Sequence, residues 1–227
     1  IHTLMYDCGG RTTETGLNTV LPALSELGVR RIDTLIISHA DMDHFNGTLD
    51  LARQMPVGRV LLSHQMLRSL EEDTARSAPA YLLTHLRNLE LPMQAISQGW
   101  SQQVGGSQWE VLWPAADYVT PSAENDNDLS IVLSIRVAGR RLLLTGDIQK
   151  LAMQGLLASK VDVTADVMDL PHHGSFVSGN SLSWLASVKP ATVVQSCGMM
   201  RVERDPWQNV WPGEINRLQT ARTGMIE

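Results

Sequence analysis

Three times in this chain a stretch that reads as a strand, in two cases an apolar run, stops abruptly on histidine or aspartate. Ile32 to Ile37 leads into Ser38-His39-Ala40-Asp41-Met42-Asp43-His44; Leu142-Leu143-Leu144 leads into Thr145-Gly146-Asp147; Asp166 to Leu170 leads into Pro171-His172-His173-Gly174-Ser175. Ordinary packing does not ask for this, because an ionisable group at the end of a buried strand costs free energy unless something pairs with it. A fold for this chain must therefore carry three strand ends to places where imidazoles and carboxylates are satisfied.

The pattern around these runs is alternating α/β. Thr15 to Leu27 carries a helical stripe at Val20, Leu21, Leu24 and Leu27 and stops at Gly28, and after Asn46-Gly47 a second helical pattern runs through Leu49, Leu51, Ala52 and Met55 to Pro56. Arg59 to Leu62 reads as a strand, Glu71 to Leu89 as a helix with a break near Ser77-Ala78-Pro79. Further on, Trp109 to Trp113, Ile131 to Val137 and, across the Ala138-Gly139 turn, Arg140 to Leu144 read as strands. Gln149 to Leu157 and Ser181 to Val188 read as helices, and Asp166 to Leu170 and Ala191 to Gln195 as strands. Two α/β halves with little linker between them predict two sheets packed together under outer helices.

With 227 residues, 43% of them hydrophobic, the chain suits a single domain spanning 1–227. No apolar run approaches the roughly 18 residues that span a bilayer. The ends, Ile1-His2-Thr3 and Gly224-Met225-Ile226-Glu227, suggest a domain cut from something larger. The net charge of −6 argues against strong nonspecific binding of nucleic acid by this domain alone, which needs a basic excess. The Arg136, Arg140 and Arg141 cluster reads more simply as a solvated strand edge. Cys8 and Cys197 show no zinc-finger spacing, and nothing but their number suggests pairing.

Imidazole and carboxylate together are the ligand set for zinc, manganese or iron. His39, Asp41, Asp43 and His44 exceed one ion's usual protein ligands. Asp147 alone is weak, since strand-Gly-Asp is common turn chemistry, but it gains meaning from its company. Adjacent histidines point in different directions, so of His172 and His173 one is expected to ligate and the other to support or face substrate. Three such strand ends can hold two divalent ions with Asp147 between them, a pair that activates water and clamps the oxygens of a displacement.

These residues resemble the metallo-β-lactamase superfamily. His39 to His44 fits its HxDxDH motif, Leu142 to Asp147 its bridging-aspartate motif and Pro171 to Ser175 its late histidine motif, in the family's order; Tyr6-Asp7-Cys8-Gly9-Gly10 is similar to the early turn that supports the metal site. Asp41 in place of a second histidine, and Asn127 to Leu133, most resemble the C-terminal domain of the ComEC family of DNA-uptake proteins. The resemblance implies an αββα sandwich lacking its first strand ahead of Ile1. It implies a parent protein of the inner membrane, with this domain facing the periplasm or cell exterior beside the parent's other domains. It also implies a nuclease that degrades the strand of DNA not imported, with single-stranded DNA as substrate.

Carried over, His39 and Asp41 face one ion, Asp43 and His44 the other, and Asp147 is shared, with His172 favoured over His173 as the last ligand. The superfamily's middle histidine has no counterpart, and Asn127 sits best in its place. With fewer imidazoles the donor set is harder, so manganese is as suitable as zinc. Asp43 would orient the water, and His173 or Ser175 would touch a phosphate or protonate the leaving group. Trp100, Trp109 and Trp113 read as core before stacking platforms. Two further readings stay open: a hydrolase of small phosphodiesters or other esters, and a DNA-guiding domain that has lost turnover.

Overall fold

The structure, a computed structural model, describes residues 2–12, 14–72, 77–120 and 123–226, with the side chains of 69–72 and 123–125 outside the description. Its contacts divide into two compact units: Ile1–Ser97 with Ala115–Tyr118, and Gln98–Pro114 with Val119–Glu227.

The first unit holds a parallel four-stranded sheet of β1 (Leu4–Tyr6), β2 (Thr34–Ile36), β3 (Val60–Ser63) and β4 (Met93–Ile96), in that order. Its helices are α1 (Leu21–Glu26), entered through a π-helical turn at Gly16–Val20, then α2 (Met42–Phe45), α3 (Thr48–Gln54), α4 (His64–Glu72) and α5 (Ala78–Asn88). Leu35, Ile36 and Ile37 are completely buried, as strands of a parallel sheet covered on both faces must be. The strand expected from Ile32 starts at Thr34: Ile32 bridges Val57, and the chain bends at Asp33, whose carboxylate accepts from the Thr3 amide and Arg31. The expected break at Ser77-Ala78-Pro79 is the start of α5, where Ser77 caps the Ala80 amide and proline occupies the first turn. Residues 73–76, which the expected helix crosses, lie outside the described residues.

The second unit holds a mixed seven-stranded sheet, order β11-β10-β9-β8-β7-β6-β5. Its strands are β5 (Ser101–Val104), β6 (Ser107–Trp113), β7 (Val132–Val137), β8 (Arg140–Leu144), β9 (Val167–Asp169), β10 (Thr192–Gln195) and β11 (Asn216–Gln219). β5 to β8 pair antiparallel, β8 to β11 parallel. The expected Ala138-Gly139 turn joins β7 to β8 with both residues at positive φ, the geometry that matches a hairpin's twist. The helices are α6 (Lys150–Ala158), the single turn α7 (Pro171–Gly174), α8 (Ser181–Val188), α9 (Met199–Glu203) and α10 (Thr220–Thr223), with a 3-10 turn at Ala123–Leu129. Trp109 and Trp113 are buried, as expected of core residues, and α6 crosses so close to Trp113 that a side chain at Gly155 would overlap its ring.

The α/β class with two sheets is therefore as the sequence predicts. In each unit the chemistry-bearing residues follow the C-terminal ends of parallel strands, the end of such sheets where ligands bind. Asp7 follows β1 and His39 follows β2; Asp147 follows β8, and His172 and His173 follow β9. Among the described residues no helix is long and apolar enough to cross a membrane.

Candidate metal centre

In the first unit one carboxylate organises two histidines. Asp7, held at a left-handed φ of 62°, accepts from the Ser38 amide through Oδ1 at 2.7 Å and from the Ser38 hydroxyl through Oδ2 at 2.8 Å. The same Oδ2 lies 2.8 Å from Nδ1 of His44. With its proton donated to Asp7, the Ser38 hydroxyl acts as acceptor for Nδ1 of His39, 2.9 Å away. Both imidazoles thus carry their proton on Nδ1, which leaves the lone pair on Nε2 as the coordinating atom.

His39 and His44 are buried with ring centroids 4.2 Å apart. Nε2 of His39 has no hydrogen-bond partner among the described residues, and the nearest carboxylate oxygen, Oδ2 of Asp41, stands at 3.6 Å. A fully buried ring nitrogen without a hydrogen bond is costly unless it has a ligand, so the donor set fits a divalent cation. Asp41 precedes α2 and Asp43 sits in its first turn.

The early turn is fastened to this loop. The Cys8 amide donates to the His44 carbonyl and the Gly47 amide to the Cys8 carbonyl, both at 2.8 Å. The Asn46 side chain accepts from the Gly10 amide and donates to the Gly10 and Thr12 carbonyls. Gly9 runs so close to the Asp43 main chain that any Cβ would collide with it. Burial, with Asp7 adding to it, pushes the Cys8 thiol up to about 12. Neither Cys8 nor Cys197 is disulfide-bonded.

In the second unit Asp147 is buried at the end of β8, its amide donating to the Ser130 hydroxyl. Oδ2 of Asp147 stands 3.8 Å from Nε2 of His172 and 3.5 Å from Nε2 of His173. The histidines sit on a left-handed turn, at φ 50° and 54°, followed by Gly174 at φ 84°. Such backbone costs roughly 1–3 kcal/mol per non-glycine residue and survives only where its surroundings hold it. Nδ1 of His173 bonds the Ser196 carbonyl at 3.0 Å, and since a carbonyl only accepts, the ring proton is on Nδ1 and the lone pair on Nε2. Nδ1 of His172 meets Nε2 of Gln149 at 2.5 Å. Ser175 accepts from Arg201 at 3.2 Å.

Asn127 is half-buried, and its carbonyl accepts from both the amide and hydroxyl of Ser130. Its neighbour Asp128 is buried and caps α6, accepting from the amides of Gln149, Leu151 and Ala152.

Residues 2–196 match the model of the β-lactamase superfamily domain. The chain belongs to that family. Among relatives of this superfamily chain, ComE operon protein 3 of Bacillus subtilis (strain 168) is 26% identical over 216 residues, covering 93% of the chain and 26% of the relative. Competence protein ComA of Neisseria gonorrhoeae is 27% identical over 229 residues, covering 99% of the chain and 29% of the relative. The chain thus spans little more than a quarter of each. The metallo-β-lactamase fold protein YhfI of Bacillus subtilis shares the fold, with a TM-score of 0.55 at 12% identity over 95% of this chain and 84% of its own.

The superfamily motifs carry the histidines and aspartates, but several residues that orient them escaped the sequence reading. Gln149, Ser130, Gln195 and Asn46 are ordinary polar residues in loops or at strand ends, and nothing in their local sequence distinguishes them from turn residues. Ser38 stands directly before the motif, which is the one signal that pointed to it.

Proposed function

We propose that residues 1–227 form one metal-dependent hydrolase domain of a larger inner-membrane DNA-uptake protein, facing outward, and that it cleaves single-stranded DNA. The strand degraded would be the one not imported. The name of the Neisseria gonorrhoeae relative, competence protein ComA, supports the setting. The observation that carries the hydrolytic reading is the Asp7 network, which commits both His39 and His44 to presenting Nε2.

In this reading His39, Asp41, Asp43, His44 and Asp147 hold two divalent ions, zinc or manganese, with Asn127 adding a neutral oxygen. The hydrogen bonds of the second turn favour His173 over His172 as the remaining ligand, because the Ser196 carbonyl fixes its tautomer. When bound, the ions would lower the pKa of water and neutralise charge on the phosphoryl oxygens.

Asp43 orients the attacking water and takes its proton. With the amide nitrogen of Gln149 donating to Nδ1, His172 keeps its proton on Nε2 and donates a hydrogen bond through it to the departing oxygen, which takes up its own proton from solvent water. The Ser175 hydroxyl, backed by the Arg201 guanidinium, binds a non-bridging phosphate oxygen.

Metal content and cleavage of single-stranded DNA, measured together in wild type and Asp43→Ala with manganese or zinc, test the proposal. Loss of metal and cleavage together is the expected result. Turnover retained in Asp43→Ala removes it from the mechanism, and activity confined to small diesters replaces the DNA substrate.

A further inference from the structure

The superfamily match ends at residue 196, yet residues beyond it bond directly to the histidine turn. The Gly174 carbonyl accepts from the indole Nε1 of buried Trp207 at 2.8 Å. The His173 carbonyl accepts from Nε2 of Gln195, at the end of β10, at 3.0 Å. Gln195 is completely buried, and its Oε1 accepts from Nε of Arg217 at 2.9 Å and from Nε2 of Gln219 at 3.0 Å. Those two donors leave the amide one orientation, with its nitrogen on the turn.

Arg217 is itself fixed. It makes a bidentate pair with Asp205 at 2.7 and 2.8 Å, and its guanidinium lies 4.5 Å from the centre of the Trp211 ring. Trp207 packs edge-on between Phe176, 5.0 Å away, and Trp211, 5.2 Å away. Gly174 completes the fit, since a side chain there would overlap the Gln195 amide.

We propose that residues 197–219 form a clamp that holds His172 and His173 in their left-handed conformation, with Trp207 and Arg217 as positioning residues. Two successive carbonyls of a strained turn are each held by a buried donor, and both donors are fixed by the segment outside the superfamily match. The value of the clamp to catalysis rests on the hydrolase reading above; its grip on the turn does not.

The test compares Trp207→Phe, which keeps the ring and removes the donor, and Arg217→Gln, which releases Gln195. The control is Trp109→Phe, which removes another indole hydrogen bond of a buried tryptophan, to the Ser107 hydroxyl, elsewhere in the same unit. Two readouts are taken on the full chain: the imidazole proton–nitrogen spectrum after metal stripping, and zinc or manganese affinity by chelator competition. Spectra of His172→Gln and His173→Gln assign the signals.

Both clamp variants are expected to displace the His172 and His173 signals and to weaken metal binding by roughly tenfold, at the low end for residues behind a ligand. The control should leave both unchanged. Signals that stay in place in the clamp variants, or move as far in Trp109→Phe, overturn the proposal. If Trp207→Phe does not fold, Arg217→Gln decides alone. A wild type that binds no metal, with signals still displaced by the clamp variants, leaves the clamp standing and removes the hydrolase reading.

Discussion

Asp7 is the residue on which most of the first donor set depends, since one carboxylate fixes the Ser38 amide, the Ser38 hydroxyl and His44, and through Ser38 also His39. Asp7→Asn keeps a residue that tolerates φ 62° but replaces one acceptor oxygen by a donor. It is expected to weaken metal binding by about 10- to 100-fold, the range for outer partners of ligating histidines, while the chain stays folded. Metal content after dialysis against graded chelator measures this, and unchanged retention would disconnect Asp7 from the ions. His39 and His44 stood out in the sequence because ionisable residues after an apolar run break the local pattern, whereas Asp7 stood out only through its resemblance to the superfamily's early turn. The wiring between them was not legible, because Ser38 and Gln195 are ordinary polar residues whose partners lie far off in sequence. Gln195, for example, meets His173 across 22 positions.

At the scale of elements, the strands and helices with strong apolar period were readable, and the polar ones were not. β11 is Asn-Arg-Leu-Gln with no fully buried position, and β5 is Ser-Gln-Gln-Val, so neither shows alternation. They exist because neighbouring strands supply their ladders. In the acidic stretch before β7, next to the expected ligand Asn127, Asp128 anchors α6. Its buried carboxylate satisfies three of the helix's N-terminal amides. Asp128→Ala is expected to cost about 2 kcal/mol, the upper range for a lost cap, because one buried carboxylate serves three amides and that of Ala152 is itself buried. Denaturant unfolding monitored by tryptophan fluorescence would show it as a lower midpoint with an unchanged slope. Gly174→Ala should cost more than an ordinary glycine substitution, since it meets both a φ of 84° and the Gln195 amide; an unchanged thermal midpoint would refute the packing described for that turn.

Across the whole molecule, acid should act through a few aspartates. Hydrogen bonds from the Arg141 amide and the Arg140 side chain hold Asp166 below the usual carboxylate range, and those from Thr164, with Arg141, do the same for Asp162. For Asp205 burial pushes upward, but the Arg217 pair and the Trp207 amide outweigh it and the net shift is downward. A carboxyl depressed in the folded state contributes stability that is present above its unfolded value of about 4 and is lost as pH falls through the lower folded value. The stability that these three carboxyls contribute should therefore be fully present above about pH 5 and be lost below about 4, with a smaller loss below 4 in Arg217→Gln, as unfolding midpoints between about pH 5 and 3 would show.

His44 and Asp147 belong to different compact units, so the claim that they serve one reaction is best tested by energetics. If both bear on the same developing charge, either His44→Gln or Asp147→Ala alone should lower cleavage by on the order of 10³-fold, as loss of a preorganised electrostatic group does. The double variant should then fall little further, because residues acting as one machine are not additive. Two independent contributions would instead multiply to about 10⁶-fold on the same reasoning. Residual rates of the two single variants and the double, measured at saturating metal, separate these outcomes, and a multiplicative result would divide the donor sets between separate roles.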